Sequence, residues 1–358
     1  MTELKFALLG CGRISRKHID AIANAADAKL VAVCDIDHAR ATAVAKKLGV
    51  PDFTDLDEMM KAVPDIDVVN ILTPTGYHAK HAVRIASYGK HVVVEKPMAL
   101  RLEDADEMIL ACDRAGVRLF VVKQNRYNAP VQRLRRALTA GRFGKLVMGT
   151  VRVRWCRRQE YYDQDAWRGT WELDGGVLAN QASHHIDLLM WMLGDVQSVY
   201  AKTATRLVNV ETEDTAAVVV QFTNGALGII EATTATRPTD LEGSLSILGE
   251  HGAVVIGGFA VNELVTWRFE DQRPEDATVI AESRTTPENV YGFGHQAFLE
   301  NVITTIRGQG AALVDGLEGR KSIEVINAIY ESVHTGREVA LRYRPRHSPL
   351  GRPGTKHP

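Results

Sequence analysis

Five short apolar runs rich in branched residues, each followed by a segment of helical length, constrain the first third of this chain more than any other feature. The runs cover residues 4–9, 30–34, 68–72, 91–94 and 117–122, and the segments between them 15–25, 39–48, 77–87 and 103–115. Strands this short and this uniformly apolar suit burial on both faces of a parallel sheet. Several of the helical segments stop at a glycine, as at Gly49, Gly89 and Gly116, where a left-handed residue can end a helix. The alternation predicts an α/β fold whose first domain, residues 1–124, is a doubly wound Rossmann sheet.

Past residue 125 the rhythm changes. A helix over 129–140 leads into a strand over 146–154, an irregular Trp- and Tyr-rich stretch, and a helix over 181–193. Strands then follow one another at 196–205, 215–222, 226–234, 243–248 and 253–256, with turn signals such as Thr223-Asn224-Gly225. This predicts an open, largely antiparallel sheet in a second α/β domain, residues 125–340, that binds substrate and pairs subunits. Helices over 295–307 and 318–335 close it, and residues 341–358 read as a disordered tail.

The formal net charge of −1 excludes an overall attraction to nucleic acid or anionic lipid, so recognition of a charged ligand must be local. No stretch approaches the roughly 20 apolar residues of a membrane span, and a cytoplasmic location is expected. Cys11, Cys34, Cys112 and Cys156 are scattered without metal-ligand spacing, so no metal is expected.

Directly after the first run comes Gly10-Cys11-Gly12-Arg13-Ile14-Ser15, opening a helix. Glycines there permit a tight turn and the close approach of a pyrophosphate, which backbone N–H groups and the helix N-terminus would meet. Ser15 stands where the dinucleotide fingerprint has its third glycine. Asp35 ends the second run, 25 residues beyond Gly10, where a carboxylate accepts hydrogen bonds from ribose and repels a 2′-phosphate. With Asp37 nearby, NAD is favoured over NADP.

Glu95-Lys96-Pro97 follows the fourth run, on the carboxyl edge where open α/β sheets bind ligands. A lysine there can donate to a substrate hydroxyl and steady the alkoxide that develops during oxidation. Together with the glycine turn and the stretch from Gly175 to Asp187, GGVLANQASHHID, these residues resemble the Gfo/Idh/MocA oxidoreductase family over residues 4 to about 340. The resemblance implies catalytic roles for Lys96 and for His184 as the base that takes the hydroxyl proton. It further implies that Arg13, Ile14, Thr73, Pro74, Thr75, His78, Glu95, Lys96 and Pro97 border the cofactor. The family histidine commonly follows an aspartate by four residues; this chain has Asn180, which orients a hydroxyl but cannot act as a base.

Cations and aromatics gather in three stretches, 123–128, 152–158 and 161–171. Lys123, Asn125, Arg126, Arg154, Arg157, Tyr161, Tyr162 and Arg168, with Asn180, are the candidate substrate-binding residues, since guanidinium groups bind phosphate and carboxylate at two points and aromatic rings stack on base or sugar. Arg152 and Arg154 share one strand face, which fits either a ligand or an outer face and subunit interface. These stretches resemble a narrower branch of the family, the UDP-N-acetylglucosaminuronate (UDP-GlcNAcA) 3-dehydrogenases of bacterial surface-polysaccharide synthesis. That likeness implies a UDP-sugar acid as substrate, a homotetramer, and a PLP-dependent aminotransferase as the next enzyme. A dehydrogenase of a free polyol or sugar such as inositol, and a non-catalytic NAD-binding sensor, remain as alternatives.

Overall fold

A computed structural model describes residues 3–283 and 294–341. Strands β1 (Leu4–Leu9), β2 (Ala28–Cys34), β3 (Asp52–Phe53), β4 (Val68–Ile71), β5 (His91–Val94) and β6 (Leu119–Val121) pair in parallel in the order β3-β2-β1-β4-β5-β6. Helices α1 (Ser15–Asn24), α2 (His38–Leu48), α3 (Leu56–Ala62), α4 (His78–Ser87) and α5 (Leu102–Arg114) alternate with them. β3 and α3 are absent from the sequence reading because a two-residue strand and a seven-residue helix fall below the length at which periodicity shows. Side-chain caps mark the helix starts instead: Asp37 accepts from Ala39 and Arg40 N–H, and Asp55 from Glu58 N–H. The strand order reverses between β1 and β4, which opens a crevice beyond their carboxyl ends.

The second sheet is built from β7 (Leu146–Arg154), β8 (Val196–Ala204), β9 (Thr215–Phe222), β10 (Leu227–Thr233), β11 (Glu242–Gly249), β12 (Gly252–Gly257), β13 (Glu263–Phe269) and β14 (Val339–Ala340). Its order is β13-β12-β11-β7-β10-β9-β8-β14, antiparallel except for β7 beside β10. Helices α6 (Ala129–Thr139), α7 (Gln159–Tyr162), α8 (Ser183–Leu193), α9 (Val279–Glu282), α10 (Gly294–Ile306) and α11 (Gly316–Thr335) complete the described chain. The tail expected at 341–358 lies outside the described residues apart from Leu341, whose N–H donates to the Gln197 carbonyl.

α8 is buried along nearly its whole length, with Leu188, Leu189, Met192 and Leu193 in the core of this half. Burying each such side chain stabilises by roughly 1.5–3 kcal/mol. Gly149 of β7 lets the helix press onto the sheet, because a Cβ there would lie 2.6 Å from Leu193 Cδ1. Of the closing helices, grouped with the second domain in the sequence reading, α11 puts Val325, Ile326 and Ile329 into that domain's core, and both also reach back to the first sheet. Phe298, Leu299, Val302 and Ile303 of α10 share a cluster with Phe6, Leu8 and Val33, and Ile323 of α11 joins Val92 and Val121. α8 and the end of β5 are thereby brought to one cleft.

Candidate active site

At the cofactor end, Gly10 has φ +109°, and a Cβ there would come within 2.8 Å of the Leu72 carbonyl carbon, so only glycine lets β1 turn this close to β4. At Gly12 the space a Cβ would fill is open, and no side chain caps the N-terminus at Ile14, which leaves α1 free to receive an anion. Asp35 is anchored at the end of β2: its Oδ2 accepts from Cys11 N–H at 2.7 Å and its Oδ1 from Asp37 N–H at 2.9 Å. Beside it Ile36 is 93% exposed, an apolar shelf that sequence reasoning missed. An open glycine cradle, an uncapped helix, a fixed carboxylate and an apolar shelf fit a dinucleotide.

At the reacting end, Lys96 Nζ donates to the Asn180 carbonyl at 2.8 Å and lies 3.4 Å from Asn180 Oδ1. Burial, partly offset by Glu95 and Asp174, lowers the Lys96 pKa. His184 is buried with neither ring nitrogen hydrogen-bonded to the protein, and the Asn125 side-chain oxygen Oδ1 is likewise buried and unpartnered. Burial, then the neighbouring charges of Lys96 and Lys123, hold the His184 pKa well below its ordinary 6.5. A neutral imidazole with two unused nitrogens beside an ammonium group suits a polyhydroxy ligand, since unmet buried polar groups need partners. His185 faces the other way, edge-on to Trp155 and close to Gly243.

Residues 4–123 match the family model described as the oxidoreductase family, NAD-binding Rossmann fold, and residues 135–341 the one described as its C-terminal alpha/beta domain. The chain belongs to the Gfo/Idh/MocA oxidoreductase family. Its fold matches that of the WlbA dehydrogenase from Bordetella pertussis, solved in complex with NADH and UDP-GlcNAcA, with a TM-score of 0.92 and 46% identity over 96% of this chain and 99% of that one. More distant relatives include a D-apiose dehydrogenase of Paraburkholderia graminis, 27% identical over 95% of this chain and 90% of its own length. An inositol 2-dehydrogenase of Rhizobium meliloti is 27% identical over 94% and 99%. As a Gfo/Idh/MocA member the chain is an oxidoreductase acting on a hydroxyl group, with NAD as cofactor.

In this family member several expected ligand contacts are spent inside the protein. Glu95 turns away from the cleft: His18 Nε2 lies 2.9 Å from its Oε1, Lys96 N–H donates to its Oε2, and His295 Nε2 is 3.7 Å away. Burial pushes this carboxyl up, but the two histidines outweigh it and hold the pKa well below the usual range. The group His18, Glu95 and His295 comes from three distant segments, which is why no metal-like spacing shows in the sequence. His78 is also engaged within the protein, with its ring nitrogens at 3.0 Å from the Pro97 carbonyl and 2.8 Å from the Thr73 carbonyl. It pins the 73–75 loop, whose Thr73 and Pro74 remain half-buried at the crevice, Thr75 being buried.

The cation cluster divides in the same way. Arg126 forms a two-point pair with Asp187, at 2.7 and 2.8 Å, and also reaches Glu318, while Lys123 Nζ donates to Ser322 Oγ; both are buried behind α8. Arg154 stands on the outer face of the second sheet, paired with Glu231 and Glu242, because Val151 and Val153 take the inner face that α8 covers. Arg157 pairs with Asp240 at 2.8 Å and lies over the rings of Trp155 and Tyr161. Tyr162 is buried, its hydroxyl 3.1 Å from Thr234 Oγ1. Arg168 is the one of these arginines whose charge is felt at Lys96; it donates to Tyr161 Oη and to Asp165 and stacks over Tyr161 and Trp167.

A strap over residues 164–168 crosses to the cofactor side, where Arg13 bonds Gln164 and Arg40 meets Asp165 at 3.5 Å. Neither contact follows from local sequence, since the partners are more than a hundred residues apart.

Proposed function

We propose that this protein catalyses NAD-dependent oxidation of the C3 hydroxyl of UDP-GlcNAcA to a 3-keto nucleotide sugar, within bacterial surface-polysaccharide (O-antigen) synthesis. The observation that carries the reaction type is a buried, neutral and unpartnered His184 near enough to the Lys96 ammonium for that charge to lower its pKa. Lys96 donates to the reacting hydroxyl and stabilises negative charge on its oxygen, and His184 accepts the hydroxyl proton on a ring nitrogen. Asn180 fixes the ammonium, and Asn125 and Arg168 border the substrate. Gly10, Gly12, Arg13, Ile14, Asp35, Thr73, Pro74 and Pro97 would hold NAD, which supplies the hydride acceptor when bound. The substrate rests on the likeness to the Bordetella enzyme solved with that nucleotide sugar.

The ketone would pass to a PLP-dependent aminotransferase in the cytoplasm. Subunits would pair as a homotetramer through the outer face of the second sheet, where Tyr200, Val219 and Leu227 are 40–50% exposed on the neighbouring strands β8, β9 and β10. The engagement of Arg126 and Arg154 by internal carboxylates leaves fewer cations for a pyrophosphate than the sequence suggests, which favours a free polyol as second reading. Purified protein with NAD is assayed by absorbance of the reduced nicotinamide against UDP-GlcNAcA, UDP-N-acetylglucosamine and myo-inositol. Selective reduction by the uronate supports the first reading; turnover of inositol alone replaces it with the second.

A further inference from the structure

We infer that Asp174 is a positioning residue for Lys96, acting through the side-chain amide of Asn180. This rests on the reading of Lys96 as the group that meets the substrate hydroxyl. Asp174 is 2% exposed and reaches no solvent-facing ligand of its own. Its Oδ2 accepts from Gly169 N–H at 2.8 Å, which pins the carboxylate within the turn that precedes α8. Its Oδ1 accepts from Asn180 Nδ2, and Asn180 presents Oδ1 and its backbone carbonyl to the Lys96 ammonium.

The chain of contacts has a definite polarity. An amide has one donor end and one acceptor end, and a carboxylate can only accept, so Asp174 claims Nδ2 and leaves Oδ1 for Lys96. Without that carboxylate the amide can rotate and set its N–H₂ group against the ammonium, two donors face to face. The charged and titratable groups that face Asp174 are Lys96 at the end of β5, Arg168 on the strap and Tyr162 of α7. Burial raises the Asp174 pKa to about 6, with Gly169, Asn180, Lys96 and Arg168 opposing, so near neutral pH it is mostly an anion placed one residue behind the cleft. That anion in turn favours the protonated form of Lys96. The signal available in the sequence is Asp174 at the head of the Gly175-Gly176 turn, which carries no hint that its side chain folds forward onto Asn180.

The test is the pH dependence of Lys96 acetylation by acetic anhydride in the NAD-bound protein, followed by peptide mass spectrometry, beside steady-state kinetics on the substrate the wild type turns over. Asp174→Asn is expected to lower the apparent Lys96 pKa by about one unit, and to cut kcat about tenfold or more with KM little changed. The exchange Asp174→Asn/Asn180→Asp keeps the hydrogen bond with its polarity reversed and is expected to restore both. An Asp174→Asn protein with unchanged Lys96 titration overturns the proposal, whether or not turnover falls. Should that variant not fold, the wild type still decides: the ¹⁵N-labelled Asn180 side-chain amide resonance must move between pH 5 and 7 as its partner titrates, and a static resonance overturns the coupling. A wild type inert toward every sugar tested, with Lys96 titration still shifted in the variant, sinks the functional reading and leaves the positioning intact.

Discussion

Lys96 and Asn180 are 84 residues apart in the chain, yet the ammonium of one donates to the backbone carbonyl of the other at 2.8 Å and reaches its Oδ1 at 3.4 Å, so the end of β5 and the turn before α8 meet at one lysine head group. Their union makes one cleft from two folding units. The unpartnered nitrogens of His184 lie buried one helical turn along from it.

Replacing His184 with glutamine should lower kcat by about 10²–10⁴-fold, the usual contribution of a general base. NAD affinity should stay at wild type. Because burial and the two lysines hold its pKa well below 6.5, long-range ¹H–¹⁵N NMR should find the ring neutral at pH 6. Wild-type turnover in His184→Gln would remove the residue from catalysis.

The strap should confine the cofactor. Arg40 reaches Asp165 from the cofactor side, and a half-exposed ion pair of this kind is worth up to about 1 kcal/mol. Arg40→Ala should therefore speed NADH release by about two- to fivefold, read by stopped-flow fluorescence. An unchanged rate shows that the strap does not gate release.

Arg126→Met leaves Asp187 buried without its two-point partner and should destabilise the protein by about 3–5 kcal/mol. Chemical denaturation measures it. A variant of wild-type stability but weakened substrate affinity would return Arg126 to the ligand site.

Glu213 should make stability fall with pH. Burial raises its folded pKa to about 7 from 4.5, against the pull of Leu178 N–H and the Tyr330 hydroxyl. The folded state binds this proton more tightly, so the contribution is full below about pH 4.5 and is lost as pH rises through 7. The shift corresponds to roughly 3 kcal/mol at most. Urea midpoints of wild type and Glu213→Gln at pH 5 and pH 8 should diverge toward alkaline pH in favour of the variant, and parallel midpoints would count against a buried titrating Glu213.

Five of the six strands of the Rossmann sheet, all but the two-residue β3, together with the Gly10–Gly12 turn and the place of Lys96 at a strand's carboxyl edge, were determined by the sequence alone, because each depends on local periodicity, on backbone freedom at glycine or on a residue's position in a repeating unit. β1, β5, β7 and β9 begin and end where the apolar patterns do. Only the tertiary structure decided how the charges are used. Arg126, Arg154, Lys123 and Glu95 look alike to any reading of spacing, but each found its partner, Asp187, Glu231, Ser322 or His18, from a distant segment. Asp174 gave no local signal and ended beside Asn180. A buried charge must be met by whatever group the folded chain brings within about 3 Å, and that meeting is a property of packing, which no single stretch of sequence contains.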